Sequence, residues 1–340
     1  MNPSPRYRLK ALLPLLPLLM LLALLLGAAP ARAAGSITCS SASMTNLNFG
    51  TVNPLASQTD VTATLNYSCS NTDNKNTHSA LLCFSIGEPG GRQTNPRLMS
   101  SGSNTLQFQL YQNANRTNVW GSQFFGSFLT PVQVPITLTK GTSTNNGQAT
   151  LYGRVLGGQT GAIPGSYQDV YQNGDTALTI NDAQGDTAPA SCGGSQESVY
   201  FAFTVSAVVA KQCTVTAGAN LNLGTVAPTA TNVPGNTSIA VTCTNTTPYY
   251  IGLLPSNNNT AGTGVMSGTG GNASTVPYQL YQNAGLSTAW GNTATTTSAG
   301  NGMAGTGTGV AQSYSVYARA PSADFQPDTY TDTVVVNVNY

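Results

Sequence analysis

Charge is what this chain has least of. Lys and Arg number 12 and Asp and Glu 11, together 7% of 340 residues, for a net charge of +1. That balance offers no basic face to nucleic acid and no attraction to an anionic membrane or an acidic substrate. Glutamate occurs twice, at Glu88 and Glu197, and histidine once, at His78. A catalytic centre assembled from acid, base and nucleophile has almost nothing to draw on, and no nucleophile motif is present, so the chain reads as a non-enzyme that needs no cofactor. Metal chemistry fares no better. There is no CxxC pair, His78 lies in a polar stretch, and Asp175, Asp182 and Asp186 in "NGDTALTINDAQGD" do not have EF-hand spacing, so solvated turns are expected there. No segment shows an amphipathic helical period.

The chain is rich instead in Thr, Asn, Ser, Gly and Val, a composition that suits short strands joined by polar turns. Its one long apolar run is N-terminal. Arg6, Arg8 and Lys10 precede a leucine-rich stretch from Ala11 to Gly27, broken by Pro14 and Pro17 and followed by Ala31-Arg32-Ala33. This is the layout of a secretory signal over residues 1–33, cleaved ahead of Ala34; a retained anchor is the alternative.

An internal repeat organises the remainder. Cys39, "LNFGTVNP" (47–54) and Cys69 recur as Cys213, "LNLGTVAP" (221–228) and Cys243, with the cysteines 30 positions apart in both copies. "YQNANRTNVWG" (111–121) recurs as "YQNAGLSTAWG" (281–291), "LYGRV" as "VYARA", and "PGSYQDVY" (164–171) as "PDTYTDTV" (327–334). Two copies of one domain are expected, over 34–210 and 211–340. Runs such as "DVTATLNYSC", "TLQFQLYQN", "VPITLTKG", "TSIAVTC" and "YTDTVVVNVNY" alternate or are β-branched, bounded by Gly, Pro and Asn. The fold class is all-β, with each copy a β-sandwich. Six cysteines in a secreted chain imply disulfides, and the repeat selects Cys39 with Cys69 and Cys213 with Cys243, leaving Cys83 with Cys192.

The cysteine, "NFGTV", "YQN…WG" and "PGSY.D" pattern, present twice in the same order, resembles the spore coat U domain found in subunits of archaic, Csu-type chaperone-usher pili. The resemblance implies two tandem immunoglobulin-like pilin domains, each built without its final strand, which a neighbouring subunit supplies by β-strand addition. It also implies passage through the periplasm to the cell surface with a periplasmic chaperone, an outer-membrane usher and an adjacent pilin subunit as partners. The donated strand in such pilins lies just before the first cysteine, where this chain has "VYFAFTVSAVVAK" (199–211) ahead of Cys213. Phe201, Phe203, Val205, Ala207 and Val209 share one face. Burying the four sizeable ones would contribute on the order of 6 to 12 kcal/mol before entropic costs. Covalently joined to the first copy, this segment is expected to complete that copy from within. Few residues precede Cys39, and the chain stops at Tyr340 after its last strand, so the second copy is expected to lack its final strand and to accept one. A subunit that accepts and cannot donate is expected at the pilus tip, as an adhesin mediating surface attachment and biofilm formation.

The copies differ most after the tryptophan, where the first has "GSQFFGSFLTPVQVP". Phe124, Phe125, Phe128 and Leu129 resemble the hydrophobic finger loops of Csu-type tip adhesins, which attach to abiotic or host surfaces. Val155, Leu156 and Ile163 in "GRVLGGQTGAIPGS", and Leu98 and Met99 in "GEPGGRQTNPRLMSS", are further finger candidates. The alternatives are a tandem structural pilin or coat component without a receptor, and a carbohydrate-binding tip that uses Trp120 or a tyrosine as a stacking platform.

Overall fold

Alternation of apolar and polar residues gives strands almost throughout. A computed structural model describes residues 36–124, 126–141, 144–194 and 199–340; the signal segment lies outside them. The only helical element among the described residues is a single 3-10 turn at Pro89–Gly91. The first domain contains β1 (Ile37–Met44), β2 (Leu47–Val52), β3 (Thr59–Asn71), β4 (His78–Ile86), β5 (Arg97–Ser101), β6 (Asn104–Tyr111), β7 (Val132–Leu138), β8 (Thr144–Val155), β9 (Gly165–Tyr171), β10 (Thr176–Gln184) and β11 (Phe203–Val209). The second contains β12 (Cys213–Ala217), β13 (Thr231–Cys243), β14 (Pro248–Pro255), β15 (Thr263–Ser267), β16 (Thr275–Tyr281), β17 (Met303–Thr306), β18 (Gln312–Ser322) and β19 (Val334–Asn339).

Eight strands form the first domain's large sheet in the order β1-β3-β8-β6-β5-β9-β11-β2, and β10-β4-β7 form its small one. β1 and β2 are joined by only Thr45 and Asn46 yet stand at opposite ends of the large sheet, so that sheet curls round on itself. The strand that permits this is β11. It runs antiparallel to β9, from Phe203 opposite Tyr171 to Val209 opposite Gly165, and parallel to β2, with Val205 opposite Leu47 and Val209 opposite Val52. β2 has no other partner in the sheet.

Phe201, Phe203, Val205, Ala207 and Val209 are all buried in the first domain's single core cluster. The Phe203 ring stacks on Tyr171 at 4.5 Å between centroids, and Phe201 meets Phe84 edge-on at 6.0 Å. Ala202 and Val208, on the alternate face, point to solvent. Each domain also buries one tryptophan, Trp120 donating its indole N–H to Phe84 O and Trp290 to Ile251 O. The cysteines pair as Cys39–Cys69, Cys83–Cys192 and Cys213–Cys243.

Three residues separate β11 from β12, and the buried Thr244 clamps them. Its hydroxyl lies 3.2 Å from Ala210 O and 3.3 Å from Gln212 O and accepts from Gln212 N–H, while its own N–H donates to Gln212 O. The loop after β8 faces the second domain, with Gly161 O accepting from Asn245 Nδ2 at 3.1 Å.

Phe203→Ala should lower the first domain's stability by about 3 to 5 kcal/mol. Denaturant unfolding followed at Trp120 in a Trp290→Phe background reads this loss, and a loss below about 1 kcal/mol would show that β11 adds little to that core.

Candidate functional site

The two domains share sequence and local geometry but not the last strand, and the difference leaves an open lane. In order, β12 to β19 are the counterparts of β1, β3, β4, β5, β6, β7, β8 and β10. Counterparts of β2, β9 and β11 are missing as strands. The residues of the first two are present: Leu221, Leu223 and Val226 repeat Leu47, Phe49 and Val52, and 327–334 repeat 164–171. Without an equivalent of β11 between them they form no ladder with each other's neighbour, and of 327–334 only Thr331 and Val334 keep a strand partner, on the far side. Val52 is 2% exposed, whereas Val226 is 44% exposed.

Both walls of the lane are nonetheless in place. In each copy the asparagine of the "LNxG" turn accepts from the glycine two residues on, Asn48 Oδ1 from Gly50 N–H and Asn222 Oδ1 from Gly224 N–H, each at 2.8 Å. Both glycines have positive φ, 64° and 82°, a conformation that side chains disfavour. On the other wall Thr331 exchanges two backbone hydrogen bonds with Ser267, at 2.9 and 3.0 Å, as Gln168 pairs with Ser100 in the first domain. Asp328 pins this wall further by accepting from Thr269 N–H and Oγ1–H and from Asn272 Nδ2–H. Asp332 accepts from the Tyr278 hydroxyl at 2.6 Å, and burial followed by that hydrogen bond pushes the phenol's pKa well up.

The lane's floor is apolar. The first domain has one continuous core, whereas that of the second is divided into two clusters. Leu221, Leu223, Met266, Phe325, Tyr330 and Val334 line their margins, half-buried. The second domain thus carries an apolar lane flanked by backbone segments that lack the strand β11 provides in the first.

The second feature is the loop between β6 and β7, which is strongly built at its base. Gly121 N–H donates to Thr130 O and Ser122 N–H to Phe128 O, and a Cβ on Gly121 would fall 2.2 Å from Phe128 O, so only glycine fits there. Gln123 ties the loop to Gly193 O and to Thr179 Oγ1. Beneath it lies Arg97, 1% exposed, which donates to Gln109 Oε1 and to the carbonyls of Ile86, Gly87 and Trp120, with its guanidinium 5.5 Å from the centre of the Phe128 ring. Glu88 holds Thr94 through its N–H and hydroxyl, and Arg92 pairs with the buried Asp169. Burial raises the Asp169 pKa against the pull of Arg92. None of these charged groups was singled out as functional from sequence. In a chain so poor in charge, Glu88, Arg92 and Arg97 within ten residues are a detectable signal.

The finger candidates fare unequally. Leu129 is 68% exposed, the most exposed large apolar side chain among the described residues. Phe124 and Phe128 are half-buried against the loop base, and Phe125 lies outside the described residues. Met99 and Val155 are corrected: both are buried in the first domain's core at inward positions of β5 and β8, where strand alternation places apolar side chains by default. Leu98, Leu156 and Ile163 are half-buried, the last two in the loop that contacts the second domain. Trp120 is likewise closed to any sugar, being fully buried. Asp175 caps a turn by accepting from Gln172 N–H, and Asp182 accepts from Ser36 N–H and faces His78.

The family model for the spore coat protein U domain matches residues 26–173 and again 199–337. The chain belongs to the spore coat protein U domain family. Its second match opens at 199, so the family pattern attaches residues 199–210 to the second copy, whereas the fold inserts them into the first. Among solved structures, the chain is similar to the chaperone–tip adhesin pre-assembly complex of archaic Csu pili from Acinetobacter baumannii, at 17% identity over 89% of this chain and all of that one, with a TM-score of 0.49. It is also similar to the CupB6 tip adhesin of Pseudomonas aeruginosa, at 14% identity over 88% and 93% of the two chains, TM-score 0.33. A third likeness is to the CFA/I adhesin CfaE of enterotoxigenic E. coli, at 13% over 86% and 91%, TM-score 0.28. No curated protein matches the chain.

Four hydrogen bonds, from Thr269 Oγ1–H, Asn272 Nδ2–H, Thr329 N–H and Thr269 N–H, hold the Asp328 carboxyl down to about 2, from 3.8. A depressed carboxylate stabilises above its unfolded pKa and loses that contribution as pH falls through the folded one. Carboxyl-carbon NMR should therefore find Asp328 titrating near 2, with exchange protection of the Thr331 amide lost over the same interval; a midpoint near 4 would show that the anchor does not form in solution.

Proposed function

We propose that this chain is the tip adhesin subunit of an archaic chaperone-usher pilus, its first domain the adhesive unit and its second the acceptor that joins it to the fibre. One observation carries this. The strand family members place ahead of a domain's first cysteine is here spent inside the chain, as β11 between β9 and β2, while the equivalent lane in the second domain stands open. A domain completed by its own chain needs no neighbour, and one with an open lane does. The strand that fills the second lane comes from an adjacent pilin subunit, antiparallel to 327–334 and parallel to 221–226, in the orientation β11 shows. Until then a periplasmic chaperone covers the lane, whose apolar floor and unpaired edges are an aggregation hazard, and an outer-membrane usher passes the subunit to the cell surface. Attachment of the tip to abiotic or host surfaces, and so biofilm formation, falls to the first domain, with Leu129 on the rigidly based loop 121–130 as its apolar contact.

Two outcomes are expected. Appending residues 199–211 after Tyr340 through a flexible linker should raise the second domain's melting transition by roughly 10 °C, the equivalent of about 2 to 3 kcal/mol for a domain of this size, and leave the first unchanged. Calorimetry on the full chain decides this, and no shift would argue against an acceptor lane. Separately, Leu129→Ser with Phe128→Ser should cut retention of pili on polystyrene at least several-fold without altering pilus number; unchanged retention would rule out the loop as the contact.

A further inference from the structure

Away from the loop and the lane, the first domain carries a polar concavity of about 570 Å³ on the outer face of β1, β3 and β8. The strand registers align its side chains in two rows, Ser43 opposite Asn66 opposite Gln148, and Ser41 opposite Ser68 opposite Asn146. We infer that this concavity binds an uncharged oligosaccharide.

Four observations support that ligand class. The first is chemistry. All six side chains are hydroxyls or amides, groups that donate and accept at once, as the hydroxyls of a pyranose do. The second is preorganisation. Gln148 Nε2 donates to Asn66 Oδ1 at 2.8 Å, which fixes both amide planes and leaves Gln148 Oε1 as an acceptor beside the Asn66 Nδ2 donor, a pair matched to two adjacent sugar hydroxyls. The third is the backing. Tyr67 and Gly147, paired across β3 and β8 between the two rows, face the core, and a Cβ on Gly147 would fall 2.0 Å from the Tyr67 hydroxyl oxygen, so the sheet behind the rows is tightly packed. The fourth is a built-in control. The second domain has the same strands, and the row equivalent to Ser43–Asn66–Gln148 is Thr216–Ala240–Ser313, with no amide in it. Keeping this face in water therefore does not require the amides.

Charge narrows the class. No charged side chain lines the concavity, and Asp60 and Arg154, further along β3 and β8, are paired with each other at 2.7 and 2.8 Å. An anionic sugar would find no cation there. Placement is consistent with a receptor site. Asn66 and Ser68 lie towards the Asn71 end of β3, whereas the opposite end, at Thr59 and Val155, leads into the loop whose Gly161 contacts the second domain.

The site rests on the first domain being the adhesive unit, but its test does not involve fibre assembly or Leu129. Saturation-transfer NMR on the full chain would use methyl α-mannoside, lactose, maltotriose and N-acetyllactosamine as probes, with 3′-sialyllactose as the anionic comparison. At least one neutral sugar should give transfer that falls at least tenfold in Gln148→Ala and in Asn66→Ala and survives Ser313→Ala. Ser43→Lys covers the case in which Asn66→Ala does not fold, since Ser43 is exposed and a lysine there should block the row. The inference is overturned if no neutral sugar gives transfer, if transfer survives Gln148→Ala and Ser43→Lys, or if only sialyllactose binds. Loss of sugar binding with normal pilus assembly separates this site from the acceptor lane.

Discussion

The insertion of β11 between β9 and β2 is the contact on which the rest of the molecule depends. It supplies five inward side chains to the first core, gives β2 its only partner, and joins the two ends of the curled sheet. The second domain shows the same flanking residues, with the same asparagine–glycine turn, but no strand between them, and its core falls into two clusters. Backbone groups left without partners and apolar side chains left half-covered both seek the same remedy, a strand of alternating character. One domain contains such a strand within its own sheet and its twin does not.

Much of the architecture is visible in sequence because the chain repeats itself. Two identical cysteine spacings select the disulfides, and period-two alternation marks the strands and the inward face of 201–209. Alternation says which face of a strand is buried and nothing about which sheet takes it; the expectation that β11 completes the first copy rests on the family resemblance and the covalent connection, and its place between β9 and β2 comes from the structure. For the same reason Met99 and Val155 looked like loop tips beside glycines and prolines. Their strand partners, Leu106 for Met99 and both Thr59 and Phe108 for Val155, make them core. The unpairing of 221–226 was also hidden, since "LNLGTV" is as good a strand by composition as "LNFGTV"; what it lacks is a partner, a property of another segment.

Buried charge is the costly part of this molecule, and it is concentrated in one place. Arg97 satisfies four acceptors and meets an aromatic ring, an arrangement that removes most of the penalty for taking a guanidinium out of water. The second domain has Gly264 at the corresponding place in β15, and its loop between β16 and β17, based on Gly291 N–H donating to Asn301 O, is polar where that of the first carries Phe124, Phe128 and Leu129. The cation and the apolar residues of the loop are thus private to the first domain and occur together, so the departure between the copies is a built unit of loop and support. The amides of the polar rows on the outer face are private in the same way, beside a β1 strand that shifts register between Cys39 and Ser41.

The three-residue connection clamped by Thr244 has a mechanical consequence. A pull applied through the second domain would enter the first at residue 210, where β11 ends. The component of such a pull along β11 would load its hydrogen bonds to β9 and β2 together in shear, where a pull across the sheet would open them one after another. The segment that completes the fold is also the cable by which it is held.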